Sequence, residues 1–187
     1  TQQRAIIHTM RYTQEQLLGR IYATADAAGI RRDVAYYQLA RESANFRNDV
    51  VYGGFVGDAG ERGLAQFTPA TWARFSNEPH TAAYDPDKSL QAWAQYMGML
   101  LRMFGGRYDL ALAAYNGGEN RSCLRAGNLS CAPAGEHRYA REILDKAGQA
   151  LPATISDQGG GFDFAAWLPY WPYAAGALVL IYLLTDD

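Results

Sequence analysis

Asp33-Val34-Ala35-Tyr36-Tyr37-Gln38-Leu39-Ala40-Arg41-Glu42-Ser43-Ala44-Asn45-Phe46 is the stretch on which the reading of this chain turns. Ala35, Leu39, Glu42 and Phe46 recur at i, i+4, i+7 and i+11, so a helix starting at Asp33 places them on one face. The Glu42 carboxyl then projects from an otherwise apolar stripe, an unusual place for a charge that is neither paired nor employed. Burial among apolar groups disfavours the ionised form of a carboxyl, and a group so placed keeps its proton toward neutral pH and can serve as a general acid. The plain alternative is a glutamate capped or salt-bridged within a helix.

Outward from this stretch the pattern stays helical. Upstream, Thr13-x-x-Gln16 reads as a capping box, Leu17, Leu18, Ile21, Tyr22 and Ala25 follow at helical spacing, and Gly29 ends the run. Downstream, residues 47–65 carry five glycines without helical periodicity and read as a long loop or small β-hairpin; long loops in compact domains are often functional. Thr68-Pro69 and Asp85-Pro86 each read as an N-cap followed by proline at the first helical position. The helix after Asp85 has Leu90, Trp93, Ala94, Met97, Leu101 and Phe104 on one apolar face, with Gly105-Gly106 as its stop. Asp109 reads as the cap of a short helix through Asn116, and Glu136 to Ala147 as a last one with Tyr139, Ile143 and Ala147 on one face. The expected fold is mainly α.

Three segments stand out in order: Arg41-Glu42-Ser43, then Gly63-Leu64-Ala65-Gln66-Phe67, then Ala114-Tyr115-Asn116-Gly117-Gly118. Their order and spacing resemble the soluble lytic transglycosylase family, in which a tyrosine on a closing helix follows; here Tyr139 in His137-Arg138-Tyr139-Ala140-Arg141 matches it. The resemblance runs from Tyr36 to Lys146 and implies a lysozyme-like α-helical catalytic domain. Ala65 departs from the pattern, since the family usually has a methionine there that helps shape the sugar pocket. The pair Glu61-Arg62 ahead of Gly63 has no role that the pattern supplies.

The resemblance implies that Glu42 is the catalyst and that peptidoglycan is the substrate, cut between N-acetylmuramic acid and N-acetylglucosamine to leave a 1,6-anhydro end without water. It also implies substrate contacts at Ser43, Gln66, Tyr115, Asn116 and Tyr139. The amides of Gln66 and Asn116 can donate and accept toward sugar hydroxyl and N-acetyl groups, or satisfy local backbone. Ser43 can steady the glutamate or the substrate, or simply end a helix. Tyr115 and Tyr139 can position Glu42, stack on sugar, or fill the core. Two rivals remain: hydrolysis as in goose-type lysozymes, with Asp58 or Glu61 holding the water, and a catalytically silent module that contacts peptidoglycan.

Charged residues make up 19% of the chain and the net charge is -2, which supplies no basic field for nucleic acid. His8, His80 and His137 are scattered and the two cysteines are too few for a zinc site, so no metal or cofactor is expected. Cys123 and Cys131 share a Gly, Ser, Asn and Pro-rich loop and either form a disulfide or stay free. Residues 1–150 read as the catalytic domain, 151–161 as a linker, and 162–187 as an apolar tail. The uninterrupted part of that tail, Tyr173 to Leu184, spans about 18 Å as a helix, short of the roughly 30 Å of membrane hydrocarbon. Trp167, Tyr170, Trp171 and Tyr173 suit a membrane interface. The tail therefore reads as a transmembrane or membrane-lying helix, or as a segment docked on a protein assembly; it could also itself be a membrane-disrupting segment that the domain delivers. The first residues lack the pattern of a secretory signal. With the tail, this suits a phage virion protein that opens the periplasmic wall during genome entry, or alternatively a bacterial periplasmic or inner-membrane enzyme.

Overall fold

Thr13 starts the first helix, α1 (Gln14–Ala27), by a reciprocal cap: its hydroxyl accepts from the Gln16 backbone N–H at 3.2 Å while the Gln16 side chain accepts from Thr13 N–H at 2.9 Å. The computed structural model describes residues 11–148 of the chain, all of them within one unit. The expected linker and apolar tail lie outside the described residues, and among the described residues no helix is long and apolar enough to cross a membrane. Leu17, Leu18, Ile21, Tyr22 and Ala25 are all buried, and Gly29 at φ +65° turns the chain so that Ile30 N–H returns to the Ala25 carbonyl at 2.8 Å.

The second helix, α2 (Arg32–Glu42), begins one residue earlier than the pattern suggested, with Asp33 inside its first turn, bonded to the Arg31 guanidinium and accepting from Val34 N–H. It also ends sooner. Ala35 and Leu39 are fully buried, but Phe46 lies beyond the helix end and packs beside Tyr36 with ring centroids 5.6 Å apart. The stripe stops because Ala44, Asn45 and Phe46 take left-handed backbone (φ 52°, 59° and 60°), bending the chain away.

The glycine-rich segment contains a four-residue helix, α3 (Asn48–Val51), held by the buried side chains of Val50 and Val51. In place of a hairpin there is one antiparallel bridge between Arg62 and Phe67. α4 (Pro69–Phe75) is capped by Thr68, whose hydroxyl accepts from Thr71 N–H at 3.2 Å. A 3-10 turn (His80–Tyr84) leads to α5 (Pro86–Met103), capped by the Asp85 carboxylate. Leu90, Trp93, Ala94, Met97 and Phe104 are buried as the periodicity requires, but Leu101 is only partly covered and Leu100 takes the fully buried place, in step with 3.6 residues per turn.

In α6 (Tyr108–Gly117) Arg107 occupies the cap, and Asp109, expected there, sits in the first turn paired with the Arg107 guanidinium at 2.6 Å. α7 (Ser122–Arg125) is short, and α8 (Ala134–Lys146) starts two residues before the expected Glu136. Cys123 and Cys131 form a disulfide across the loop between them. α6 packs on both α5 and α8, while α2 packs on both α1 and α8, so the last helix of the domain lies against the helix that carries Glu42.

Candidate active site

Glu42 is the last residue of α2, and a side chain at a helix end can face both the core and solvent. Its Oε1 accepts a hydrogen bond from the Tyr139 hydroxyl of α8. Burial pushes the carboxyl up to about 7, and the nearby charge of Glu61 adds to that, while the Tyr139 hydroxyl and the Arg41 guanidinium pull in the opposite direction. The residue keeps partial exposure through a cleft, yet its neighbours surround the carboxyl closely enough for desolvation to dominate. The group is therefore half protonated near neutral pH, the condition under which one carboxyl can both give and take a proton.

Tyr139 is 1% exposed, and its hydroxyl belongs to a buried relay. Gln38, one turn before Glu42 on α2 and fully buried, hydrogen-bonds the Tyr139 oxygen and accepts from Trp93 Nε1 at 3.1 Å. Its amide also approaches Met97 Sδ at 3.5 Å. With Gln38 fixed from behind, the Tyr139 proton is left to point at Glu42. Arg41 closes the other face of Tyr139, its guanidinium 4.6 Å from the ring centroid, and is itself tied to Glu142 at 3.0 Å. The Tyr139 hydroxyl is pushed well above its ordinary value, first by burial and then by the charge of Glu42.

A cleft of about 410 Å³ opens at Glu42, and its wall includes Gln66, Tyr115 and Asn116 together with Phe55, Asp58, Glu61 and Tyr96. Gln66 adopts φ 48°, in the left-handed region, and its amide nitrogen bonds back to the Gly63 carbonyl at 2.8 Å. Gly63 has no room for a side chain, because a Cβ there would lie 1.8 Å from the Ala83 carbonyl oxygen. That close approach holds the Gly63–Phe67 loop against the 3-10 turn. Tyr115 donates to the Ala65 carbonyl at 2.7 Å and packs its ring on Tyr96 at 5.1 Å, while Asn116 is exposed at the end of α6. Ala65 is fully buried, so the family's methionine position carries no side chain into the cleft.

The structure thus gathers Glu42, Gln66, Tyr115 and Asn116 around one cleft and places Tyr139 behind Glu42. Ser43 is elsewhere: fully buried, it donates to the Leu39 carbonyl at 2.7 Å and accepts from Phe46 N–H at 3.0 Å, and it is not part of the cleft wall. Sequence reasoning missed Gln38, although a lone amide four residues before Glu42 on the same helical row was a readable signal. It also missed Phe55 and Tyr96, which nothing local distinguishes from ordinary aromatics. Among the described residues no group of His, Cys, Asp and Glu is arranged to hold a metal ion.

Fold and site together define a helical domain built around a desolvated carboxyl that lines a polar and aromatic cleft. The chain belongs to the transglycosylase SLT domain family, whose model matches residues 21–128. That membership brings a peptidoglycan lytic transglycosylase-type function in general terms, with peptidoglycan as the substrate. The matched stretch contains Glu42, Gln66 and Asn116 and stops short of Tyr139. Among curated proteins, none matches the chain.

Proposed function

We propose that this protein cleaves the β-1,4 bond between N-acetylmuramic acid and N-acetylglucosamine without water, leaving 1,6-anhydromuramyl ends, with Glu42 as the single acid and base. The observation that carries the reading is the Glu42 carboxyl, pushed up to about 7, bonded to the Tyr139 hydroxyl and lining the cleft. Protonated Glu42 gives its proton to the glycosidic oxygen, the C1–O bond breaks with its electron pair leaving on that oxygen, and the muramyl N-acetyl oxygen supports the cationic C1. The Glu42 carboxylate then takes the proton of the C6 hydroxyl as O6 bonds to C1, which restores the acid and consumes no water. Tyr139 holds the carboxyl in place, Gln66, Asn116 and Tyr115 meet the substrate, and Ser43 acts only through the backbone that follows Glu42.

Asp58 and Glu61 in the same wall favour a second reading, hydrolysis, in which one of them holds the attacking water. The setting we infer is the periplasmic wall, since the Cys123–Cys131 bridge suits an oxidising compartment. The apolar composition of 162–184 supports attachment to a membrane or a virion during phage genome entry. Digestion of peptidoglycan sacculi by the wild type and Glu42→Gln, with mass spectrometry of the released muropeptides, tests the reading. Anhydro ends from the wild type alone are expected; reducing ends move the assignment to hydrolysis, and no release from the wild type sinks both.

A further inference from the structure

Glu61 is the feature of the cleft that neither the family pattern nor the acid and base cycle employs. The loop that carries it closes on itself: Gly57 N–H donates to the Glu61 carbonyl at 3.0 Å and Gly60 N–H to the Gly57 carbonyl at 2.9 Å. Its carboxylate is fixed from the same loop, accepting from Ala59 N–H at 2.9 Å. The Glu61 side chain lies directly against the Gly57 backbone, since a Cβ on Gly57 would come within 2.4 Å of Glu61 Oε2 and 3.1 Å of its Cβ. The carboxylate is thus held in one place on the cleft wall that also contains Glu42.

Nearby cations are committed elsewhere. Arg62, the next residue, lays its guanidinium over the Tyr84 ring at 5.9 Å, Arg74 pairs with Glu119 at 2.7 Å, and Arg41 pairs with Glu142. Among the described residues no ion pair neutralises Glu61. A fixed negative charge in a partly desolvated cleft acts on whatever positive charge develops there, and such preorganised electrostatics is commonly the largest contribution to a rate.

We propose that Glu61 is a second working carboxylate of this cleft, acting by charge alone on its neighbour Glu42 and on the cationic sugar centre that forms during cleavage. The inference rests on reading Glu42 as the acid. Glu42 is faced by Arg41 from its own helix, Tyr139 from α8, Tyr115 from α6 and Glu61 from the loop, with Asp58 and Tyr96 also on the cleft wall. Of the four that face it, Glu61 raises the affinity of Glu42 for its proton by charge.

The test compares wild type, Glu61→Gln and Glu61→Asp by carbon NMR titration of the Glu42 carboxyl and by the pH profile of muropeptide release. In Glu61→Gln the Glu42 titration moves to lower pH and the alkaline limb of kcat moves with it. kcat falls about 10- to 100-fold with KM nearly constant, and Glu61→Asp recovers part of both. An unmoved Glu42 titration in Glu61→Gln overturns the inference, and so does a change of product from reducing to anhydro ends, which would make Glu61 a water-activating base. The titration needs no turnover, so an inactive wild type with a shifted Glu42 counts against the proposed function and leaves the coupling intact.

Discussion

Two helix ends in this molecule perform the same task by different means. α5 stops at Phe104 and reverses through Gly105 and Gly106, at φ +60° and +82°, where added side chains would meet nothing. α2 stops beyond Glu42 and reverses through Ala44, Asn45 and Phe46 at nearly the same φ values, without a glycine. Left-handed backbone costs an L-residue roughly 1–2 kcal/mol, less for asparagine, and glycine almost nothing. The α5 end is shaped by conformational ease. The α2 end holds a strained turn against Glu42, and it persists because Ser43 ties Leu39 to Phe46 from inside.

The contrast can be broken most forcefully by deleting the last side chain of each end. Phe104→Ala should lower stability by about 3 kcal/mol at every pH, through the lost packing of a buried ring, with muropeptide release per folded molecule unchanged. Glu42→Gln should do the reverse. Folded Glu42 keeps its proton to about 7, whereas an unperturbed glutamate releases it at 4.5, so wild-type stability declines as pH rises across that window and stays lowered above it. The amide carries no such penalty. Urea denaturation should show no advantage for Glu42→Gln below the window and a gain of about 1–3 kcal/mol above it; a gain independent of pH would mean that the carboxyl is not held protonated.

A smaller effect separates the two stops themselves. Ser43→Ala should cost about 1 kcal/mol by leaving the part-buried Phe46 N–H without its partner, and should slow glycan release because the turn after Glu42 loosens. Gly105→Ala should cost about 1 kcal/mol from φ alone with kcat unaltered. Equal loss of activity in both variants would remove the distinction. The smallest effect sharpens it: Asn45→Gly should raise stability by about 0.5 kcal/mol in thermal unfolding by relaxing one left-handed residue, yet reduce release a few-fold.

Much of the frame was legible because it is written in adjacent residues. The Thr13, Thr68 and Asp85 caps, the Gly29 and Gly105-Gly106 stops and the buried face of α5 depend on groups within one or two turns, where backbone hydrogen bonding admits few solutions. Where pattern and structure part, the cause is local as well: the apolar periodicity runs on to Phe46 past a helix that left-handed backbone has already ended, and Arg107 takes the cap of α6 in place of Asp109, both standing next to the same first turn. The cleft was legible only as a set of motifs, and it was Ser43 that the motif could not place: being next to Glu42 in sequence puts its side chain on another face of the chain.

By itself the sequence determined the longer helices and the caps at Thr13, Thr68 and Asp85, the family to which residues 21–128 belong, and Glu42 as a carboxyl on an otherwise apolar face. Tertiary structure alone decided what surrounds that carboxyl. Tyr139 reaches it from 97 positions away, Gln38 and Trp93 orient Tyr139 from within the core, and a glycine loop fixes Glu61 in the same cleft. The physical reason is that a cap or a helical face is settled by neighbours along the chain, whereas the proton affinity of a buried acid is the sum of desolvation and charges from every element packed around it.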